Sequence, residues 1–286
     1  MILVTGATGK VGQEVVRQLA TAGAPARALV RDATRASAIR IPGVEIAVGD
    51  LARPETLPAV FAGVDRIFLL TPAAPDQVEL QSNALEAGRR SGARRIVKVS
   101  VAGGPDAGTQ IGRWHWATEK QIEASGLGFT FLRPTLYMQQ MLSYAPSIAA
   151  TGSFSAPMGA GEIAVVDTRD VAAVAVAALT EDGHDRRIYD LTGPEALSYD
   201  RMADAISDAI GKKVAYAHVP PEYTRRQMLA DGFPRWLVDD MLVLAASFRD
   251  GYGANVTSTV AEVTKHAPRS FRQFARDYAH VFRDGH

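Results

Sequence analysis

The chain has 286 residues, 47% of them hydrophobic, which is enough to bury a large core in one big domain or two unequal ones. Basic and acidic residues balance at 31 each, so the charge carries no footprint for nucleic acid or an anionic membrane. There is no cysteine, which excludes disulfides, thiolate metal sites and cysteine nucleophiles; no metal site is read from the sequence.

An apolar strand, Ile2-Leu3-Val4, enters a glycine-rich turn with Gly6, Gly9 and Gly12, and a helix follows over residues 11–22. Strand signals recur at 26–30, 44–48, 66–70, 95–99 and 129–132, and helices are expected near 54–62, 76–91 and 112–125. That alternation predicts a parallel sheet flanked by helices. Beyond Pro134 the rhythm breaks. Residues 152–161 read as a turn-rich excursion, 167–179 as an alanine- and valine-rich helix, and the chain after Gly193 as several helices with one strand at 213–217. The expected division is a dinucleotide-binding domain over 1–150, with 163–182 returning to it, and a smaller cap from 151–162 and 183–286. No apolar run approaches the roughly 18 residues of a membrane helix. The first residues lack the basic region and cleavage site of a signal peptide, so a cytoplasmic protein is expected.

Strand, glycine loop and helix occur in the order that a dinucleotide site requires. Gly6 permits the tight turn, Gly9 lets backbone approach a pyrophosphate, and Gly12 lets helix pack on strand; Thr8, Lys10 and Val11 complete the loop. The second strand ends at Arg31, a residue suited to a ribose 2′-phosphate, where a carboxylate would suit a free 2′-hydroxyl. Lys10 offers a second positive charge. Asp32 follows immediately and would favour NAD(H) if it were the residue presented; a solvated Arg31 is the alternative reading. The expected cofactor is NADP(H).

Several segments resemble the NmrA-like family of atypical short-chain dehydrogenases. They are Thr5-Gly6-Ala7-Thr8-Gly9-Lys10-Val11-Gly12, Leu132-Arg133-Pro134, Val166-Asp167-Thr168-Arg169-Asp170-Val171 and Leu191-Thr192-Gly193-Pro194. His115-Trp116-Ala117-Thr118-Glu119-Lys120 is similar to the His-x-x-Thr-Glu-Lys of the quinone-reductase and triphenylmethane-reductase branch. The resemblance implies an α/β, Rossmann-type doubly wound parallel sheet with a smaller, mainly helical C-terminal substrate domain. It implies further cofactor contacts: Asp50 and Leu51 near the adenine, Leu70, Thr71 and Pro72 beside the nicotinamide-side ribose, Ser100 closing the fifth strand, and Tyr137. Gln140 stands where relatives often carry Asn, and His115 where they carry Lys or His near the nicotinamide. For Asp50 and Ser100, turn capping is an equal alternative.

No tyrosine has a lysine four residues later, so the usual Tyr-x-x-x-Lys proton donor is missing. Quinones, azo compounds and dyes ask less of a protein, because charge spreads over a conjugated system while the protein orients the partners and excludes water. The resulting expectation is an NADPH-dependent reductase of a conjugated small molecule, with His115 as its titrating acid. Trp114, Trp116, Tyr137 and Met138 are candidate walls for the acceptor, or plain core. Glu119 and Lys120 read as a solvated helix face. A non-catalytic NADP(H) sensor acting on a protein partner is the alternative function, and a homodimer is the expected assembly.

Overall fold

The structure is a computed structural model that describes residues 1–104 and 108–286, the side chain of Arg35 excepted. Six short runs rich in Val, Ile and Leu form strands β1 (Ile2–Val4), β2 (Ala26–Val30), β3 (Val44–Val48), β4 (Arg66–Leu69), β5 (Arg95–Val99) and β6 (Gly128–Pro134). They pair in parallel in the order β3-β2-β1-β4-β5-β6. Strand β7 (Ser153–Ala156) lies outside this sheet, and β8 (Arg187–Leu191) adds its seventh strand beside β6. Strand β9 (Ala215–His218) pairs with β7 in a separate two-stranded sheet.

Between the strands run α1 (Lys10–Thr21), α2 (Leu57–Phe61), α3 (Gln77–Ser91), α4 (Gln110–Ala124), α5 (Ala145–Thr151) and α6 (Thr168–Thr180). The chain ends in α7 (Tyr199–Ile210), α8 (Pro221–Ala230), α9 (Arg235–Arg249), α10 (Thr259–Thr264), α11 (Phe271–Asp277) and α12 (Ala279–Asp284). Parallel strands are covered on both faces, so each must bury alternate side chains in opposite directions. Leu3, Ile67, Leu69, Ile96 and Phe131 join one core with Phe61 of α2, Leu85 of α3 and Ile122 of α4. On the opposite face α1 packs against α6, and the Gln18 amide donates to the Arg169 carbonyl at 3.0 Å. The chain runs β1-β2-β3 toward one edge and resumes at β4 on the other side of β1. Ligands of such sheets bind at the carboxyl ends of strands on either side of that reversal.

Two compact units result. The first comprises Met1–Gly104, Ile111–Pro134 and Thr168–Asp190; the second comprises residues 108–110, Thr135–Asp167 and Leu191–His286. These borders differ from the division at residues 150, 162 and 182 read from sequence. After β6, residues 138–151 form a 3-10 turn and α5, and Met138, Met141, Ala145 and Ile148 pack into the core of the second unit. Residues 153–156, read as turn, are instead β7, because β9 gives them a partner 62 residues later. β8 escaped the sequence reading because four of its five residues are not buried and show no apolar alternation.

Candidate active site

The loop after β1 is built by backbone geometry. Thr5 ties it to the neighbouring strand: its hydroxyl donates to the Leu70 carbonyl and accepts from the Leu70 amide, both at 2.9 Å. Gly6 has φ of +60°, and a Cβ there would lie 2.7 Å from the Leu70 oxygen. A Cβ on Gly12 would lie 2.1 Å from the Gly6 oxygen, so only glycine lets α1 start this close to the loop. Gly9 closes the turn with an amide bond to the Gly6 oxygen at 2.9 Å, and the exposed Thr8 has its carbonyl held by Gln13 at 2.7 Å. Val11 is buried and packs the helix onto the sheet.

The N-terminus of α1 fits an anion. Gly9 occupies the cap position without a side-chain acceptor, and the first turn holds no acid. Lys10, an exposed cation whose pKa is lowered by what burial it has, stands there instead. A cation at this end opposes the helix dipole, and a diphosphate at the helix N-terminus would reverse that penalty.

Arg31 is exposed at the end of β2, while the Asp32 carboxylate accepts from the Thr34 amide at 2.8 Å and caps the 3-10 turn Ala33–Ile39. Both side chains are exposed, and the arginine is the cation of the pair, the one whose chemistry suits a ribose phosphate. The Asp50 carboxylate accepts from the Ala52 amide at 3.0 Å, which is the turn-capping alternative. Leu51 is buried, and Asn83 donates to its carbonyl at 2.8 Å. Leu70, Thr71 and Pro72 follow β4; Thr71 is buried and accepts from the Gln81 amide at 2.8 Å, and Pro72 is exposed.

Ser100 follows β5, buried, and its hydroxyl has no partner. Gln77 is fully buried with neither side-chain nitrogen nor oxygen bonded, and the Gln81 oxygen is likewise unpartnered. Buried polar atoms are normally paired, so these groups are short of the partners that a hydroxyl- and amide-rich cofactor supplies. The residues present fit a dinucleotide.

His115 does not stand in solvent as a titrating acid. It is 6% exposed, and its Nδ1 lies 2.8 Å from Nζ of Lys98, a lysine fully buried in β5. Burial, followed by the lysine charge, holds the His115 pKa well below its ordinary value. Burial also pushes Lys98 down to about 7, against the pull of Glu119 and with the push of Arg133. Both causes disfavour the charged imidazole, against the expectation of a titrating acid with a pKa in the ordinary histidine range. Glu119 is no solvated residue either: it is fully buried and takes two bonds from Arg133, at 3.2 and 2.5 Å. Lys120 is the exposed one, with its ammonium 4.1 Å above the half-buried Trp116 ring and paired with Glu123 at 2.7 Å.

In the second unit the half-buried Tyr137 bridges Val166 through its backbone, and burial raises its hydroxyl pKa. Met138 is core. The buried amide of this segment is Gln139, which donates to Asp167 at 2.9 Å. Gln140, expected to replace a cofactor-binding Asn, is exposed and lines a cavity of about 510 Å³ within this unit. Tyr144, Met158, Tyr199 and Phe248 form its more deeply buried side, while Tyr223 and Met228 of α8 with Phe233 form another. A pocket of this size and aromatic content suits a flat apolar molecule.

The sequence signature of the NmrA-like family matches residues 1–275. The chain belongs to the NmrA-like family. It is 42% identical over 283 residues to an NAD(P)H azoreductase of Xenophilus azovorans, covering 99% of both chains. Its fold matches the Citrobacter sp. triphenylmethane reductase complexed with NADP(H), with a TM-score of 0.87 and 25% identity over 98% of this chain and 100% of that one. An NADPH-dependent quinone oxidoreductase of Escherichia coli, complexed with NADPH, shares the fold with a TM-score of 0.88 and 24% identity over 99% and 100% of the two chains.

In this NmrA-like chain the residue that sequence reasoning missed is Lys98. The signal was present: Arg95-Ile96-Val97-Lys98-Val99 puts a lysine on the face of a buried parallel strand where Ile96 points. Glu119 had a signal too. It lies four residues after His115, on the same helix face. Among the described residues no helix is long and apolar enough to cross a membrane.

Proposed function

We propose that this NmrA-like protein is an NADPH-dependent reductase of conjugated small molecules such as azo compounds, quinones and dyes. The observation that carries the reading is the end-to-end 42% identity with an azoreductase. The uncapped, acid-free start of α1 and the Arg31 side chain support NADP(H) as cofactor. NADPH supplies the hydride. The first unit holds it through the loop Gly6–Gly12, through Arg31 and through the polar groups after β4 and β5.

The aromatic cavity of the second unit has the walls that a flat molecule needs, and we read that unit as the substrate domain. Its stacking walls exclude water, so orientation and desolvation are the protein's main contributions. His115 supplies a neutral N–H donor to the acceptor atom that gains charge. Nothing in the geometry favours the sensor alternative, whereas an aromatic cavity is what a reductase of flat acceptors needs.

The deciding experiment is NADPH oxidation against azo dyes, quinones, triphenylmethane dyes, aldehydes and ketones. Turnover with conjugated acceptors and none with simple ketones is expected; no turnover with any acceptor would overturn the reading. We further read the enzyme as a cytoplasmic homodimer, which cell fractionation and light scattering would test.

A further inference from the structure

Lys98 sits where an apolar side chain belongs. Its face of the sheet carries Ile67, Leu69, Ile96 and Phe131, and the lysine is fully buried among them. A buried ammonium is costly unless its bonds are specified, and among the described residues two are made: to His115 Nδ1 at 2.8 Å and to the Val99 carbonyl at 3.2 Å. No carboxylate among the described residues pairs with it. Glu119, which faces it from α4, is committed to Arg133 of β6, and those two charges act on the lysine in opposite directions. The imidazole is held on one side only: among the described residues nothing hydrogen-bonds its Nε2.

We infer that Lys98 is the positioning residue of His115, fixing the imidazole as its Nε2–H tautomer and recharging it with a proton when Nε2–H is given to the reduced acceptor. The inference rests on the reading of His115 as the group that meets the acceptor. The bonds balance as follows. The acceptor, having received hydride from NADPH, takes the proton of Nε2, and that N–H bond breaks. A proton moves from Nζ to Nδ1 as it does so, leaving a neutral amine and a neutral imidazole. No imidazolium is formed, which matters because burial disfavours one.

After product leaves, a solvent proton adds to Nε2 and the Nδ1 proton returns to the amine, so the pair reloads through the same nitrogen without a ring flip. A lysine whose charged and neutral forms are both accessible near neutral pH is suited to this cycle. The pair takes the place of the missing Tyr-x-x-x-Lys.

Two measurements test it. With a quinone acceptor, wild-type kcat should fall as pH rises through about 7, with a solvent deuterium isotope effect. Lys98→Met should lower kcat about tenfold and abolish both the pH break and the isotope effect while NADPH affinity stays unchanged. Nitrogen-15 NMR of the wild-type protein at pH 6 should show His115 as the Nε2–H tautomer with Nδ1 accepting.

A pH break retained in folded Lys98→Met, or His115 in the Nδ1–H form, would overturn the inference. If the variant does not fold, a wild-type profile flat from pH 6 to 9 would overturn it equally. If the wild-type protein reduces no acceptor, the proposed function fails, and the NMR alone decides the Lys98–His115 arrangement.

Discussion

The glycine loop and the buried cluster of Lys98, His115, Glu119 and Arg133 belong to the same compact unit and are built in opposite ways. The loop is seven residues long, and its working parts are amides and the absence of side chains. The cluster is assembled from β5, α4 and β6, and its working parts are charges held out of water. The first is a steric device and fails to steric change. The second is electrostatic, and it should respond to charge and pH. Substitutions at the two sites should therefore differ in kind as well as size.

The largest effect is expected at Gly12. A methyl 2.1 Å from the Gly6 oxygen must push the loop off α1, so Gly12→Ala should lose NADPH affinity by more than about 100-fold and also lower the melting temperature. Gly9→Val refines the point. A Cβ there meets only the Gly6 oxygen, at 3.3 Å, so that variant should fold yet fail to bind cofactor, as titration calorimetry beside a thermal melt would show. Equal melting losses for the two would mean that Gly9 serves the fold and not the phosphate.

At the cluster, His115→Ala should cost about 10²-fold in kcat while leaving cofactor affinity in place, a split that steady-state kinetics and direct titration read separately. A matching loss of affinity would make the histidine part of the cofactor site.

Arg31 is the intermediate case, one exposed side chain that belongs to neither. Its removal to Ala should weaken NADPH about tenfold after solvent screening and leave NADH unaffected. Identical isotherms for the two nucleotides in the wild-type protein would remove its role.

The smallest effect is a slope. Burial lowers Lys98 from 10.5 to about 7, so between those values the unfolded chain holds a proton that the folded chain has released. Stability should therefore rise with pH through that window, and Lys98→Met should flatten the rise between about pH 7 and 9.5. A melting-temperature slope identical in the two proteins would show that the lysine is not titrating there.

The sequence displays these two sites unequally for the same reason. Gly6, Gly9 and Gly12 announce their roles within a few residues of one another, and the first six strands are rich in apolar residues, so those six are readable in order while β8 is not. Lys98 and His115 lie 17 positions apart and become partners only once strand register and helix face are known. Glu119 looked like surface because charged side chains usually are. Its burial depends on Arg133, which arrives from another strand. β7 was hidden for a related reason: its four residues are not marked as strand until β9, which the sequence shows at 213–217, lies beside them. Asp32 shows the finer limit, since its bond to the Thr34 amide, which caps the following turn, appears only in the folded loop.

Helix α8 carries one wall of the aromatic cavity yet has no buried residue of its own, and Arg225 ties it to α9 through Asp239. Segments with so little apolar burial open at a small fraction of the global unfolding free energy. The opposite side, with Tyr199 and Phe248, is set in the hydrophobic core and cannot yield without dismantling it. The cavity thus pairs a rigid floor with an elastic roof. On the proposed reading of this cavity, a longer acceptor would displace the roof at low cost while the floor fixed the plane of its ring. Breadth of substrate size and strictness about flatness would then come from two different elements of one pocket.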